Sequence, residues 1–278
     1  MKILDGSKLS KNILAGLPSS QKAKLAVVQV GNNPVSAKYI KEKRKAAKGL
    51  GVGFRLARFP LRVSEATLAR EIEEIGKDRK VSGMIVQLPL PKSLNTQRVL
   101  DCIPLQKDVD VLSSKALGLF AQGALPWLPP TVQAVSILLK EAKVHLKGAR
   151  VLIIGAGRLV GLPVSLWLLR EGATLTITNK ATKNLSSLTK QADVIISGVG
   201  KRGLVKGNMV KKGAVVIDAG TSVESGPSTR SARSGRQAKL VGDVDFKSVS
   251  KKAKYISPVP GGVGPLTVAC LFHNLYHD

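Results

Sequence analysis

The chain has 278 residues, enough for one large or two ordinary domains with their own hydrophobic cores. Its 44 Lys and Arg residues exceed its 18 Asp and Glu residues, and the resulting formal net charge of +26 attracts polyanions. Aromatic residues make up only 4% of the chain, too few for base-stacking platforms, so we expect no specific nucleic-acid binding.

The opening segment, MKILDGSKLSKNIL, lacks the continuous apolar region of a signal peptide. No apolar run reaches the roughly 18 to 20 residues that a membrane-spanning helix needs. The two cysteines, Cys102 and Cys270, do not have the spacing of a zinc site, and we expect no disulfide. These features predict a cytoplasmic protein without membrane association and without a bound metal.

The first half of the chain alternates strand-like and helix-like segments. Buried-strand patterns cover residues 24–30, 53–58 and 83–88, and the last of these is stopped by prolines. Helical periodicity covers residues 64–79 as well as the basic segment SAKYIKEKRKAAK, residues 36–48. Such alternation favours a parallel sheet with helices on its faces.

The basic segment is predicted to be a helix with Ser36 as its N-cap. On a helical wheel its apolar side contains Ile40, Ala47 and Leu50, and most of its lysines lie on the opposite side. Lys43 is the exception, because it projects from the middle of the apolar side. A desolvated ammonium there would have a lowered pKa, which suits an acid or base. The alternative is a buried stem whose ammonium group reaches water.

The second half contains a second α/β series after the proline-rich residues 124–130. A helix is predicted over residues 131–141, and strands over 150–154, 174–178, 194–197 and 214–218. The tract from Ser222 to Lys239 is rich in Ser, Gly and Arg and lacks apolar periodicity. We predict that it forms a flexible surface loop, and its arginines have no assigned function.

A strand, a glycine-rich turn and a helix follow one another from Val151 to Arg170. The turn contains Gly155, Gly157 and Gly161, and this arrangement is typical of a site that holds a pyrophosphate at a helix N-terminus. A tight strand-to-helix turn without a ligand is the alternative.

The next predicted strand ends in Asn179-Lys180, where an NAD site usually has a carboxylate. Lys180 and Arg158 could instead neutralise a 2′-phosphate. We therefore predict NADP as the cofactor, with NAD as the alternative.

Several motifs in this order resemble one enzyme family. They are VGNNPVSAKYIKEKRKAAKGLGV, GMIVQLPLPKSL, QKDVDV, and GDVDF followed by SPVPGGVGPLTVA. Together with the opening ILDG and the Gly155 turn, they resemble the bifunctional methylenetetrahydrofolate dehydrogenase / methenyltetrahydrofolate cyclohydrolase family over essentially the whole chain.

The resemblance implies two α/β domains with a cleft between them, the second a Rossmann-like dinucleotide-binding domain. A catalytic, folate-binding domain is expected at residues 1–125, joined by the C-terminal helix 265–278, and an NADP-binding domain at residues 126–264. The family also implies a homodimer formed through the nucleotide domain.

The family's folate-site residues have counterparts here. By resemblance, the catalytic residues are Lys43, Tyr39 and Gln87, and the substrate-binding residues are Asp110, Pro260, Gly261 and Gly262. The predicted cofactor-binding residues are Gly155, Gly157 and Gly161 of the turn, the basic residues Arg158 and Lys180, and Thr221. The implied reactions are the NADP-dependent oxidation of methylenetetrahydrofolate and the hydrolysis of the methenyl product. A member with only one of these activities, or a basic nucleic-acid-binding protein on the same fold, are the alternatives.

Some positions depart from the family pattern. Val111 replaces the glycine of KDVDG, Ala116 replaces an asparagine, and the Arg-Ser pair of the glycine-rich turn is Ala156-Gly157. The departures alter the cofactor turn and its surroundings, but leave the group around Lys43 unchanged.

Overall fold

We describe the protein from a computed structural model over residues 1–19, 22–224 and 239–276. The chain divides into two compact units. Unit one comprises Met1–Lys8 and Ala134–Leu266, and unit two comprises Leu9–Gln133 and Thr267–Asp278. Each unit contains a parallel β-sheet with helices, which confirms the predicted α/β class. In the described part of the chain, no helix is long and apolar enough to cross a bilayer.

The regular elements follow in chain order. The strands are β1 (Lys2–Ile3), β2 (Lys24–Val30), β3 (Gly53–Phe59), β4 (Gly83–Val86), β5 (Arg150–Ile154), β6 (Thr174–Thr178), β7 (Val194–Ser197), β8 (Val215–Asp218), β9 (Ser222–Glu224), β10 (Lys239–Val241) and β11 (Tyr255–Ile256). The α-helices are α1 (Gly6–Gly16), α2 (Pro34–Gly49), α3 (Glu65–Lys77), α4 (Thr96–Asp101), α5 (Ser114–Gln122), α6 (Pro130–Glu141), α7 (Gly161–Arg170), α8 (Leu185–Gln191), α9 (Phe246–Val249) and α10 (Val263–Asn274).

The sheet of unit two has the strand order β3-β2-β4, and all its pairs are parallel. Strand β2 alternates between two cores: Ala26 and Val28 belong to one, whereas Leu25 and Val27 belong to the other. Since successive side chains of a strand point to opposite faces, both faces of this sheet are covered.

Helix α10 contributes to the second of these cores through Val268, Leu271 and Phe272. Near its C-terminal end, the side-chain amide of Asn274 donates to the carbonyl of Val109 at 3.0 Å and to that of Leu128 at 2.9 Å. The C-terminal helix therefore contributes apolar side chains to a core of unit two. It also hydrogen-bonds the backbone at Val109, next to Asp110, and at Leu128.

The main sheet of unit one has the order β1-β11-β8-β7-β5-β6, again with parallel pairs. Strand β5 lies between β6 and β7. The chain passes from β5 to β6 on one side and then crosses to β7 on the other side, so the strand order reverses at β5. In open parallel sheets, ligands bind outside the carboxyl end of a strand at such a switch point. The glycine-rich turn at Gly155 follows β5 directly.

Three local predictions need correction. Asn33, not Ser36, caps helix α2, because its carboxamide accepts from the backbone N–H of Val35 and Ser36. The last residues of the tract predicted as strand 83–88 are not strand, since β4 ends at Val86. Part of the predicted loop 222–239 is a strand pair, β9 with β10, and the arginine-rich residues 225–238 lie outside the described residues.

The C-terminus of α3 is held by a lysine from another segment. The Nζ of Lys107 donates to the carbonyl of Gly76 at 2.7 Å and to that of Asp78 at 2.8 Å. The last carbonyls of a helix lack partners within the helix, and a cation there also complements the helix dipole.

We predict that Lys107→Met lowers the free energy of unfolding by about 1–3 kcal/mol, because two carbonyls lose a charged donor. Chemical denaturation of the purified protein measures this loss. Lys77→Met is the control: its ammonium contacts Glu74 at 2.7 Å on the exposed surface, and we expect little change. Equal losses in the two variants would contradict the capping role of Lys107.

Candidate functional site

The candidate site in unit two is centred on the ammonium of Lys43. Helix α2 buries Ile40 and Ala47 against the sheet, and its C-cap residue Leu50 is buried in the same core. Lys43 projects from this side, as the wheel predicts, and its Nζ donates to Oε1 of Gln87 at 3.0 Å. The neighbouring lysines Lys41 and Lys45 are exposed. Of the basic residues in this segment, Lys43 is therefore the one that the fold turns toward the end of β4.

Gln87 is itself fixed by the chain around it. Its backbone N–H continues the sheet by donating to Val28 at 2.8 Å, and its Nε2 donates to the carbonyl of Leu88 at 3.1 Å. The Ser36 hydroxyl donates to the same carbonyl at 3.1 Å, which attaches the first turn of α2 to the end of β4. Ser36 thus anchors the helix that carries Lys43, a role that its sequence position did not indicate.

Asp110 lies in a turn organised by a second carboxylate, that of Asp108. The Asp108 side chain is fully buried and accepts from the Leu112 N–H at 3.1 Å, the Ser113 N–H at 2.8 Å and the Ser113 hydroxyl at 2.6 Å. Val111 adopts the left-handed conformation with φ 57°. A β-branched residue is strained there, which accounts for the glycine of the family pattern at this position.

Burial shifts the pKa values of the charged groups in opposite directions. It lowers the pKa of Lys43, and the nearby negative charge of Asp110 only partly opposes this effect. Burial raises the pKa of Asp110, opposed by the positive charge of Lys43 and reinforced by Asp108. Both shifts follow from the cost of ionising a group away from water.

Tyr39 lies one helical turn before Lys43 and is half-buried. Residues four apart on a helix share a face, so the phenol and the ammonium project from the same side of α2. The site therefore combines an amine of lowered pKa, an amide, a carboxylate and a phenol. Such a set can accept or release a proton and can hold a planar heterocycle by hydrogen bonds.

In unit one, the glycine-rich turn connects β5 to α7 with very close backbone packing. Gly155 has φ 96°, and a Cβ at Gly161 would overlap the carbonyl of Gly155. No side chain caps the first turn of α7 in the described chain. In the first turn of α7 the Leu162 N–H donates to the Gly157 carbonyl and Pro163 has no N–H. The fit to the pyrophosphate of a dinucleotide therefore comes from the glycine turn, whose backbone an anion can approach closely.

The other predicted cofactor residues lie near the ends of these strands. Gly157 and Arg158 are exposed in the turn, and Lys180 is exposed just after β6. Thr221 follows β8 and is half-buried, and its carbonyl oxygen lies 3.3 Å from the position that a Cβ at Gly200 would occupy. The end of β6 carries Lys180 and no carboxylate, as the sequence indicated.

The predicted substrate loop of Pro260, Gly261 and Gly262 also belongs to unit one. Gly261 has φ 107° and accepts from the Ser7 N–H at 3.0 Å. A Cβ at Gly6 would overlap the carbonyl of Gly262, so the glycine of the opening ILDG motif permits this contact. The described residues contain no group of three or more His, Cys, Asp or Glu that could hold a metal ion.

Asp218 and Asp243 have no role predicted from the sequence. Both carboxylates are buried at the carboxyl edge of the sheet in unit one, and each accepts several N–H groups. Burial raises the pKa of Asp218 to about 6. The signal was present in the sequence, since each aspartate adjoins or nearly adjoins a glycine, in DAG and GDVD.

Comparison with known proteins places both units in one family. Residues 4–110 match the tetrahydrofolate dehydrogenase/cyclohydrolase catalytic domain. Residues 129–278 match the tetrahydrofolate dehydrogenase/cyclohydrolase NAD(P)-binding domain.

Individual relatives match over nearly the full length. The bifunctional protein FolD of Moorella thermoacetica is 40% identical, covering 98% of this chain and 96% of its own. The bifunctional dehydrogenase/cyclohydrolase structure from Campylobacter jejuni has a TM-score of 0.87 at 37% identity, with 99% and 97% of the two chains covered. The Trypanosoma brucei enzyme, solved with NADP and an inhibitor, has a TM-score of 0.91 at 33% identity, with 98% and 95% covered.

The opposing effects at Lys43 generate a prediction. We expect Asp110→Asn to lower the pKa of the Lys43 ammonium further, because the substitution removes the charge that opposes desolvation. NMR titration of ¹⁵N-lysine-labelled protein measures the shift, with the Lys43 resonance identified by its loss in Lys43→Arg.

The control is Glu42→Gln, which removes an exposed carboxylate from the same helix and should leave the titration unchanged. An unchanged or higher Lys43 pKa in Asp110→Asn would contradict the coupling of the two groups.

Proposed function

The chain belongs to the tetrahydrofolate dehydrogenase/cyclohydrolase family, and we propose that it carries out both reactions of the family's name. Methylenetetrahydrofolate is oxidised to the methenyl form with NADP, and the methenyl form is hydrolysed to 10-formyltetrahydrofolate. The observation that carries the proposal is the desolvated Lys43 ammonium, hydrogen-bonded to Gln87, on a helix whose sequence matches the family's catalytic domain.

In the hydrolysis, water attacks the cationic methenyl carbon, a new carbon–oxygen bond forms, and the bond from that carbon to N5 breaks. The water oxygen becomes the formyl oxygen and loses both of its protons: one is transferred to N5, and the other is released to solvent, which accounts for the lost positive charge. Lys43 carries out the transfer to N5: its lowered pKa increases the fraction of neutral amine, so the amine can accept a proton from the water and the resulting ammonium can deliver it to N5. A neutral amine also avoids repulsion with the cationic substrate.

The other members of the site orient the reacting groups. Gln87 accepts from Lys43 and fixes the direction of its amine, while Tyr39 extends the same helical face toward the substrate. Asp110 accepts hydrogen bonds from the amino and ring N–H groups of the pterin, since a carboxylate suits an edge with two donors. The loop of Pro260, Gly261 and Gly262 presents backbone groups to the substrate.

In the oxidation, a bound NADP would supply a nicotinamide as the acceptor of the hydride that leaves the methylene carbon. This chain's contribution is to bind and orient the dinucleotide. The turn containing Gly155, Gly157 and Gly161 holds the pyrophosphate, and Thr221 contributes to the same site. Arg158 and Lys180 neutralise the 2′-phosphate, which favours NADP over NAD.

We further propose that residues 1–125, with the C-terminal helix, form the catalytic domain, that residues 126–264 form the nucleotide domain, and that the enzyme works in the cytoplasm. We propose a homodimer formed at the edge of the sheet in unit one, where β6 is the terminal strand. Ile177 on this strand is 46% exposed, and Leu169 on α7 is 58% exposed. An edge strand with apolar neighbours is a template for pairing with a second copy.

The catalytic assignment predicts that Lys43→Met lowers the turnover of methenyltetrahydrofolate hydrolysis by at least about 100-fold, the range expected for losing a general acid–base group. Loss of methenyl absorbance measures this rate. Dinucleotide binding, measured separately by calorimetry with NADP, should be unchanged. Lys45→Met, on the exposed side of α2, is the control with normal turnover. Full hydrolysis by Lys43→Met would rule out the assignment.

The proposed dimer predicts that Ile177→Lys shifts the protein toward monomers in sedimentation equilibrium, because a charge replaces an apolar contact at the edge strand. Leu61→Lys is the matched control, since Leu61 is 63% exposed in unit two. An unchanged mass in Ile177→Lys, or the same shift in both variants, would contradict this location of the interface.

A further inference from the structure

Two buried carboxylates in unit one form a reciprocal arrangement at the carboxyl edge of the sheet. Asp218, the last residue of β8, is 2% exposed, and Asp243 is 0% exposed. A Cβ at Gly220 would overlap the carboxylate of Asp243, and a Cβ at Gly242 would overlap that of Asp218. The Asp243 carboxylate thus fills the space that a side chain at Gly220 would need, and the Asp218 carboxylate fills the space that a side chain at Gly242 would need. Neither glycine tolerates a side chain.

The Asp218 carboxylate organises the segment that contains Asp243. It accepts from the Asp243 N–H at 3.1 Å and the Val244 N–H at 2.9 Å, and also from the Gly220 N–H at 3.0 Å. Buried carboxylates are costly unless hydrogen-bonded, and three N–H donors offset that cost. The result is a fixed position for Asp243.

The Asp243 carboxylate in turn holds the loop that follows β7. Its Oδ2 accepts from the Ser197 hydroxyl and the Val199 N–H, both at 2.8 Å, and its Oδ1 accepts from the Lys201 N–H at 2.7 Å. We name residues 198–201 the β7 loop. Within the described part of the chain, the donors Ser197, Val199 and Lys201 belong to this loop or to the strand residue just before it.

The β7 loop packs directly on the glycine-rich turn after β5. A Cβ at Gly155 would overlap the side chain of Val199, and a Cβ at Gly198 would lie 2.6 Å from Cγ1 of Val160. Gly200 lies against the carbonyl of Thr221. The loop therefore contacts the turn proposed to hold the pyrophosphate and the threonine proposed to bind the same cofactor.

We propose that Asp243, fixed by Asp218, is a positioning residue for dinucleotide binding: its carboxylate holds the β7 loop against the Gly155 turn. The inference rests on the proposed cofactor site, and it goes further by assigning a role to two buried residues outside the proposed cofactor-binding and substrate-binding sets. A misplaced β7 loop would change the wall of the cofactor site without altering the group around Lys43, which lies in unit two.

The test is Asp243→Asn. In either orientation of the new amide, its NH₂ faces a backbone N–H, that of Val199 or that of Lys201, so at least one hydrogen bond is lost. We expect NADP affinity, measured by calorimetry without folate, to fall about tenfold or more. KM for NADP should rise by the same factor, with a smaller change in kcat. Turnover of methenyltetrahydrofolate should stay within about twofold.

The matched control is Asp245→Asn in the same GDVD motif. Asp245 is exposed and caps the short helix α9 through the Ser248 N–H, so its removal should leave NADP affinity unchanged. Ser197→Ala is a milder second variant, because it removes one donor from Asp243 and keeps the carboxylate. We expect a loss of NADP affinity in the same direction but smaller. If Asp243→Asn does not fold, Ser197→Ala decides the question.

Unchanged NADP affinity in Asp243→Asn, or in Ser197→Ala when that variant decides, would overturn the inference. A parallel loss of NADP binding and methenyl hydrolysis would also overturn it, since a general structural role predicts both. Failure of the unaltered enzyme to bind NADP counts instead against the proposed function. The two outcomes are therefore separable.

Discussion

The chemistry proposed for this protein depends on keeping one lysine ammonium away from water. Burial lowers the pKa of Lys43, and it also makes the ammonium costly for the fold. The Gln87 carbonyl and the charge of Asp110 offset part of that cost. Both partners must be correctly placed to offset this cost. Backbone hydrogen bonds hold Gln87, and the turn fixed by Asp108 holds Asp110.

Buried carboxylates that accept backbone N–H groups supply this rigidity in both units. Asp108 fixes the turn that carries Asp110, and Asp243 fixes the loop beside the Gly155 turn. In each case the carboxylate acts on backbone, so its effect does not depend on the side chains of the loop it holds. This explains how Val111 occupies a strained left-handed position. Asp108 precedes Val111, and its carboxylate accepts from the N–H groups of Leu112 and Ser113, which follow Val111, so the turn is closed around it.

The motifs that resembled the family separate into chemical and structural residues. In QKDVDV, Lys107 caps helix α3 and Asp108 fixes the turn, whereas Asp110 interacts electrostatically with Lys43. In VGNNPVSAKYIKEK, Asn33 begins the helix and Ser36 attaches it to the end of β4. Many residues of these motifs thus have a structural role, which is to hold the few groups that are proposed to react.

The sequence by itself determined the α/β class, the central strands of both sheets and the orientation of Lys43, because two-residue and 3.6-residue periodicities are local properties of the chain. Periodicity did not determine which polar residues meet across elements, and the grouping of Lys43 with Gln87 came only from the family resemblance. The contacts Lys43–Gln87, Ser36–Leu88 and Asp243–Val199 join residues far apart in the chain, and only tertiary packing brings them together. The short strand β11 and the roles of Asp218 and Asp243 likewise depended on the assembled sheet, since a two-residue strand has no periodicity and a buried carboxylate is defined by its donors.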